Sequence, residues 1–117
     1  MFTCSSAEDL IISSNTNCEK LHETGWKSII VYEGYCNSIQ EDLIIGNNPC
    51  LQSINLYKNS LKNLNSLTIT NNPQLQSIVT NEGYGGWTSS TDSRNTGMGY
   101  IVNRLEISGI LIISNNQ

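Results

Sequence analysis

Few side chains in this chain have the type and spacing for chemistry. His22 is the sole histidine. No Ser or Cys stands near it at the spacing of a nucleophile–base pair, and proton transfer needs that geometry first. Two pairs of adjacent acids, Glu8–Asp9 and Glu41–Asp42, have the type for acid–base hydrolysis or Ca2+ ligation. Each pair directly precedes a leucine, Leu10 or Leu43, in matching sequence contexts, so a turn or solvated strand edge accounts for both. Gly97-Met98-Gly99 begins like a nucleotide-binding loop but lacks the third glycine and the strand–turn–helix setting. The four cysteines, Cys4, Cys18, Cys36 and Cys50, form no CxxC pair, which removes the usual zinc and redox motifs. Reduced thiols packed in the core are the expectation, with a disulfide framework as the alternative. No catalytic residue, metal ligand or cofactor is assigned, no small-molecule substrate is expected, and the chain is not read as an enzyme.

The elements that carry these side chains come from a duplication. LIIGNNPCLQSI, Leu43 to Ile54, returns about 24 residues later as LTITNNPQLQSI, Leu67 to Ile78, with nine of twelve positions identical. That period belongs to stacked repeats, in which each unit buries its apolar face only against its neighbours. The spacing LxIxxNxxLxxI also runs through Leu10, Ile12, Asn15, Cys18 and Leu21, and begins again at Leu111, Ile113 and Asn116. Cys18 takes the place of the second leucine. Leu61 and Leu64 extend the third copy upstream, as Cys36 and Ile39 do for the second with one extra residue.

Leu-x-Ile puts alternate side chains on one face of a strand. Asn-Asn-Pro is a turn signal, since asparagine tolerates left-handed backbone and proline cannot extend a ladder. An asparagine at a fixed inward position can bond backbone groups of the adjoining turn that stacking would otherwise leave unpaired. A second extended segment follows each turn, at Ser28 to Tyr32 and Ser53 to Tyr57. Each coil therefore reads as two short strands joined by turns.

The run LxxLxxLxIxxN from Leu61 to Asn72 resembles the leucine-rich repeat family. The continuation departs from that family's N-x-L, because here Gln74 is polar and Leu75 apolar, giving N-x-x-L. This departure, the LQSI signature and the lack of helix look more like the BspA-like branch of irregular repeats, common in microbial surface proteins. The resemblance covers residues 10 to 80 well and 105 to 116 in part. It implies a mainly β, short right-handed leucine-rich-repeat-like solenoid of about four coils, with short parallel strands and little helix. It also implies protein binding without naming a partner, because such repeats serve many.

One repeat domain over residues 1–117, partial at its end, is expected. Copy starts at Leu10, Leu43, Leu67 and Leu111 lie about 33, 24 and 44 residues apart, so the excess marks inserted loops at 22–27 and 81–99. The second is rich in Gly, Ser and Thr and carries Trp87; insertions in repeat proteins often emerge on the binding face. The residue between Leu and Ile of each strand faces outward. These residues are Ile11, Ile44, Thr68 and Ile112, and three isoleucines in line would form an exposed apolar stripe suited to a protein partner. Ile11, Ile44, Thr68, Ile112 and Trp87 are therefore the candidate partner-binding residues. The open C-terminal end is a candidate for self-association.

Net charge is −4 with six Lys and Arg in all, which leaves no basic stripe for nucleic acid or anionic membrane. No apolar run reaches the roughly 18 residues of a membrane span. The first residues lack the basic and apolar regions of a secretory signal. Among the sixteen Asn residues none begins an N-x-[ST] acceptor. A cytoplasmic chain is slightly favoured as the sequence stands, and a cell-surface location if it is a piece of a longer protein.

Overall fold

The computed structural model describes residues 4–57, 59–61, 63–80, 88–91, 101–102 and 110–114. These residues are mainly strand, with one short 3-10 helix, Cys18–His22. The strands are β1 (Glu8–Ile12), β2 (Trp26–Val31), β3 (Asp42–Gly46), β4 (Ser53–Leu56), β5 (Ser66–Thr70), β6 (Ser77–Thr80), β7 (Thr88–Thr91), β8 (Ile101–Val102) and β9 (Ile110–Ser114). They form two parallel sheets, ordered β1-β2-β4-β6-β8 and β3-β5-β9-β7. From β2 onward, successive strands fall in alternate sheets. β9 lies between β5 and β7 although β7 precedes it in the chain.

The duplicated residues pair position for position. Leu43, Leu67 and Leu111 share one register across β3, β5 and β9, as do Ile45, Ile69 and Ile113. In the other sheet Ile29, Ile54 and Ile78 align, with Val31 beside Leu56. Period-2 geometry turns one set of side chains inward. Leu43, Ile45, Leu67 and Ile69 are accordingly buried together with Ile29, Val31, Ile54, Leu56 and Ile78 from the other sheet in one core cluster.

The Asn-Asn-Pro turns follow from two different uses of asparagine. Asn47 and Asn71 both adopt left-handed backbone, each with φ 56°, which asparagine tolerates better than other side chains with a Cβ. Asn48 and Asn72, one residue later, are buried. Asn72 Oδ1 accepts the Asn48 N–H at 3.1 Å, and Asn72 Nδ2 donates to the Ile45 carbonyl at 3.1 Å. Asn48 Oδ1 in turn accepts the Gly25 N–H at 2.9 Å. Each asparagine thus serves the adjoining turn. The shift from N-x-L to N-x-x-L also has a cause. Leu51 and Leu75 donate their N–H groups to the Asn48 and Asn72 carbonyls at 3.3 and 3.1 Å, closing a turn that delivers the leucine, rather than the residue before it, to the core.

Two expectations are corrected. The Leu10 copy does not stack on the Leu43 copy. β1 lies in the other sheet, with Leu10 opposite Ile29 and Ile12 opposite Val31. The chain leaves β1, passes through the 3-10 helix and returns at β2, and the helix takes the place beside β3 that a strand would fill. The Leu-x-Ile-x-x-Asn pattern is the same in either sheet, so the local sequence cannot distinguish them. The bonding of Asn15 follows the change: its Oδ1 accepts the Cys36 N–H, in the stretch after β2, at 2.9 Å.

The cysteines are not reduced thiols. Cys4 pairs with Cys50 and Cys18 with Cys36, leaving no free cysteine. Cys18, Cys36 and Cys50 are buried, the first two at positions where other copies carry leucine. Burial and pairing are compatible, because Cys18 and Cys36 stand at leucine sites of adjoining turns that face one interior. Their Cα atoms are 5.6 Å apart, and those of Cys4 and Cys50 are 5.5 Å apart, within the range a bridge spans without moving the backbone.

The stretches expected as inserted loops are partly strand. β2 starts at Trp26, inside 22–27, and β7 occupies Thr88–Thr91, inside 81–99. Trp87 lies outside the described residues.

Candidate partner-binding surface

In β1, β3 and β5 the Leu and Ile of Leu-x-Ile are buried and the middle residue is turned outward. In β3 that residue is Ile44, 58% exposed; its neighbour on β5 is Thr68, half-buried. Ile112 of β9 is next in register, followed by Ser90 of β7. Ile44, Thr68 and Ile112 are thus brought into one row on the four-stranded sheet. Ile11 is not part of it. It belongs to the five-stranded sheet, where it is 50% exposed and aligns with Ile30, Asn55 and Val79. The single four-residue stripe expected from the sequence is therefore two rows on two sheets, because β1 changed sheets.

Sequence reasoning passed over two further exposed groups. Ile30 extends the Ile11 row and is half-buried. Tyr32, 40% exposed, stacks on Tyr57 with ring centroids 5.1 Å apart and planes at 20°. The signal was present in the matching segments Ser-Ile-Ile-Val-Tyr and Ser-Ile-Asn-Leu-Tyr, whose parallel pairing puts the two tyrosines side by side immediately after β2 and β4.

The acid pairs stand at sheet edges. β1 ends the five-stranded sheet and β3 ends the four-stranded one. Asp9 accepts the Ser28 hydroxyl at 2.7 Å. Asp42 Oδ1 accepts Asn65 Nδ2 at 2.6 Å and the Ser66 hydroxyl at 2.8 Å. These donors, Asn65 foremost and then Ser66, hold the Asp42 carboxyl below its ordinary value of 3.8. That keeps Asp42 ionised, the opposite of what a general acid needs. His22 Nε2 lies 3.6 Å from Glu41 Oε1, both well exposed, where such a pair contributes little.

Among the described residues no group of three His, Cys, Asp or Glu side chains is placed to hold a metal ion, and no helix is long and apolar enough to cross a membrane. The disulfides leave no thiol to act as nucleophile. The described residues offer exposed aliphatic and aromatic side chains, Ile11, Ile44 and Tyr32, on or directly after parallel strands.

No protein-family model, no curated protein and no solved structure matches this chain.

Proposed function

We propose that this chain is a non-enzymatic protein-interaction module of leucine-rich-repeat type, closest to the BspA-like irregular repeats. In this reading it is a short right-handed solenoid of about four coils. It engages a protein partner through the row of Ile44, Thr68 and Ile112, or through the 81–99 segment around Trp87. No cofactor and no small-molecule substrate enters the reading, and the net charge of −4 with six Lys and Arg argues against nucleic acid as partner.

The observation that carries it is the pairing of Leu43 with Leu67 and Ile45 with Ile69 while Ile44, between them, stands 58% exposed. The flanking residues hold the strand, so an aliphatic side chain at position 44 does nothing for the core. Full burial of one isoleucine against a partner recovers about 1.5–3 kcal/mol. The test is a photo-reactive side chain placed at position 44 or, as control, at the exposed turn residue Gln74. Cross-linking in the producing cells should trap one recurring protein from position 44, and Ile44→Ser should weaken its retention. Equal labelling from both positions would sink the proposal.

A second reading is favoured by the disulfides. Bridges persist in oxidising compartments, so the chain also suits a structural segment of a larger microbial cell-surface or adhesion protein. That reading moves the location from cytoplasm to cell surface. Detection of these residues within a longer surface polypeptide, with no protein trapped at position 44, would favour it. Self-association through the C-terminal end remains part of the first reading; residues 115–117 lie outside those described.

A further inference from the structure

We propose that the outer edge of β1 is a homodimer interface, to which a second copy of this chain adds its own β1 in antiparallel register centred on Ile11. The inference is independent of what binds the Ile44 row.

β1 is the terminal strand of the five-stranded sheet. The Ile12 carbonyl accepts the Tyr32 N–H at 3.0 Å, so the backbone groups of Ile12 point toward β2. A parallel strand turns the groups of alternate residues to opposite edges. Those of Asp9 and Ile11 therefore point away from β2, and the same alternation carried one residue past β1 turns those of Ser13 the same way. The Ile11 side chain, on the same strand, is half exposed, and among the described residues its cross-strand neighbour is the aliphatic Ile30.

Antiparallel pairing centred on Ile11 sets Ile11 against Ile11, Leu10 against Ile12 and Asp9 against Ser13, the residue directly after β1. The residues whose N–H and C=O face outward then oppose one another, as ladder bonding requires. No carboxylate meets a carboxylate. Asp9 gains on its open side the partner type it already has on the other, where Ser28 donates its hydroxyl at 2.7 Å; Ser13 is exposed and supplies the same hydroxyl. A slip that sets Asp9 against Asp9 would oppose like charges. The acidic pair thus selects this register while discouraging others. The outward row Asn55, Ile30 and Ile11 continues into the same residues of the second copy in reverse order, and Ile11 acquires an aliphatic neighbour on both sides. The two-fold contact is self-complementary and closes, so it leaves no β1 edge open for further addition.

Sedimentation equilibrium of the full chain from about 5 to about 200 μM should show a monomer–dimer equilibrium. Over the same range the exchange of the Ile11 amide should slow by about tenfold or more as dimer forms, while the Ile69 amide stays protected throughout. Ile11→Lys should be monomeric with Ile69 protection intact, and Ile44→Ser should dimerise like the native chain. A monomer at every concentration, or a dimer in which Ile11 exchange is independent of concentration, overturns the proposal. The exchange reading on the native chain decides the matter even if Ile11→Lys fails to fold.

Discussion

Single asparagines do unequal work in this protein, and their substitutions should rank accordingly. Asn72 is buried and bonds both the Asn48 N–H and the Ile45 carbonyl. Alanine there strands two backbone groups away from water, each at about 1–3 kcal/mol. Asn72→Ala should therefore lower stability by about 2–6 kcal/mol. Asn15 is exposed and its Oδ1 accepts the Cys36 N–H, so Asn15→Ala should lose about 1 kcal/mol. Urea denaturation of both variants gives the ranking; equal losses would contradict it. Asn71 adopts left-handed backbone with φ 56°, so Asn71→Val should lose about 1–2 kcal/mol through left-handed strain. Asp42 adds a pH dependence. Its folded carboxyl sits below the ordinary value of 3.8, so its contribution is complete above that value and is lost as the pH falls from there through the lower folded value. Thermal melts of the native chain and Asp42→Asn between about pH 2 and 7 should differ most at the upper end and converge in acid.

At the level of elements, β3 and β5 show how a near-identical repeat tolerates local exceptions. Gly46 pairs with Thr70, its counterpart in the next copy. A Cβ at position 46 would lie 2.9 Å from the Thr70 carbonyl oxygen, closer than such atoms approach, and the obstacle is backbone. Gly46→Ala should destabilise by about 1–3 kcal/mol despite alanine's smaller unfolded-state freedom. A gain in melting temperature would show that the strands separate freely. Ile44 in the same strand predicts the reverse. Its side chain is mostly exposed, so Ile44→Ser should change stability by less than about 1 kcal/mol, where a buried Leu67→Ala should lose about 2–5 kcal/mol. Unfolding of Ile44→Ser would mark position 44 as core and remove the partner-binding row.

For the molecule as a whole, the disulfides decide how independent the first third of the chain can be. Cys4–Cys50 encloses 46 residues and Cys18–Cys36 encloses 18. Loop-closure entropy puts their contributions at about 4 and about 3 kcal/mol, with the two not strictly additive because one loop lies inside the other. A domain of this size has on the order of 6–17 kcal/mol in total. Reduction should therefore lower the melting temperature steeply and expose β1, the 3-10 helix and β2 first, since both bridges anchor that region. Hydrogen exchange with and without a thiol reductant measures this. Unchanged protection of Ile12 and Ile29 would show that packing alone holds the N-terminal edge.

The sequence by itself determined the repeat period, the inward aliphatics, the asparagine turns and the mainly β, parallel character. Those features are local or recur at fixed distance, so one face of a strand and one turn geometry follow from the residues present. The outward positions of Ile44 and Thr68 were legible for the same reason. Tertiary structure alone decided which sheet received β1, and with it the separation of Ile11 from the Ile44 row. Leu-x-Ile fits either sheet, and the choice rests on the path through the 3-10 helix rather than on β1 itself. The cysteine pairing was likewise undetermined, because a small apolar side chain at a leucine site looks the same whether or not a second sulfur waits across the interior. What brought Cys18 to Cys36 was the folding of adjoining turns onto a shared core, a distance that no residue spacing encodes.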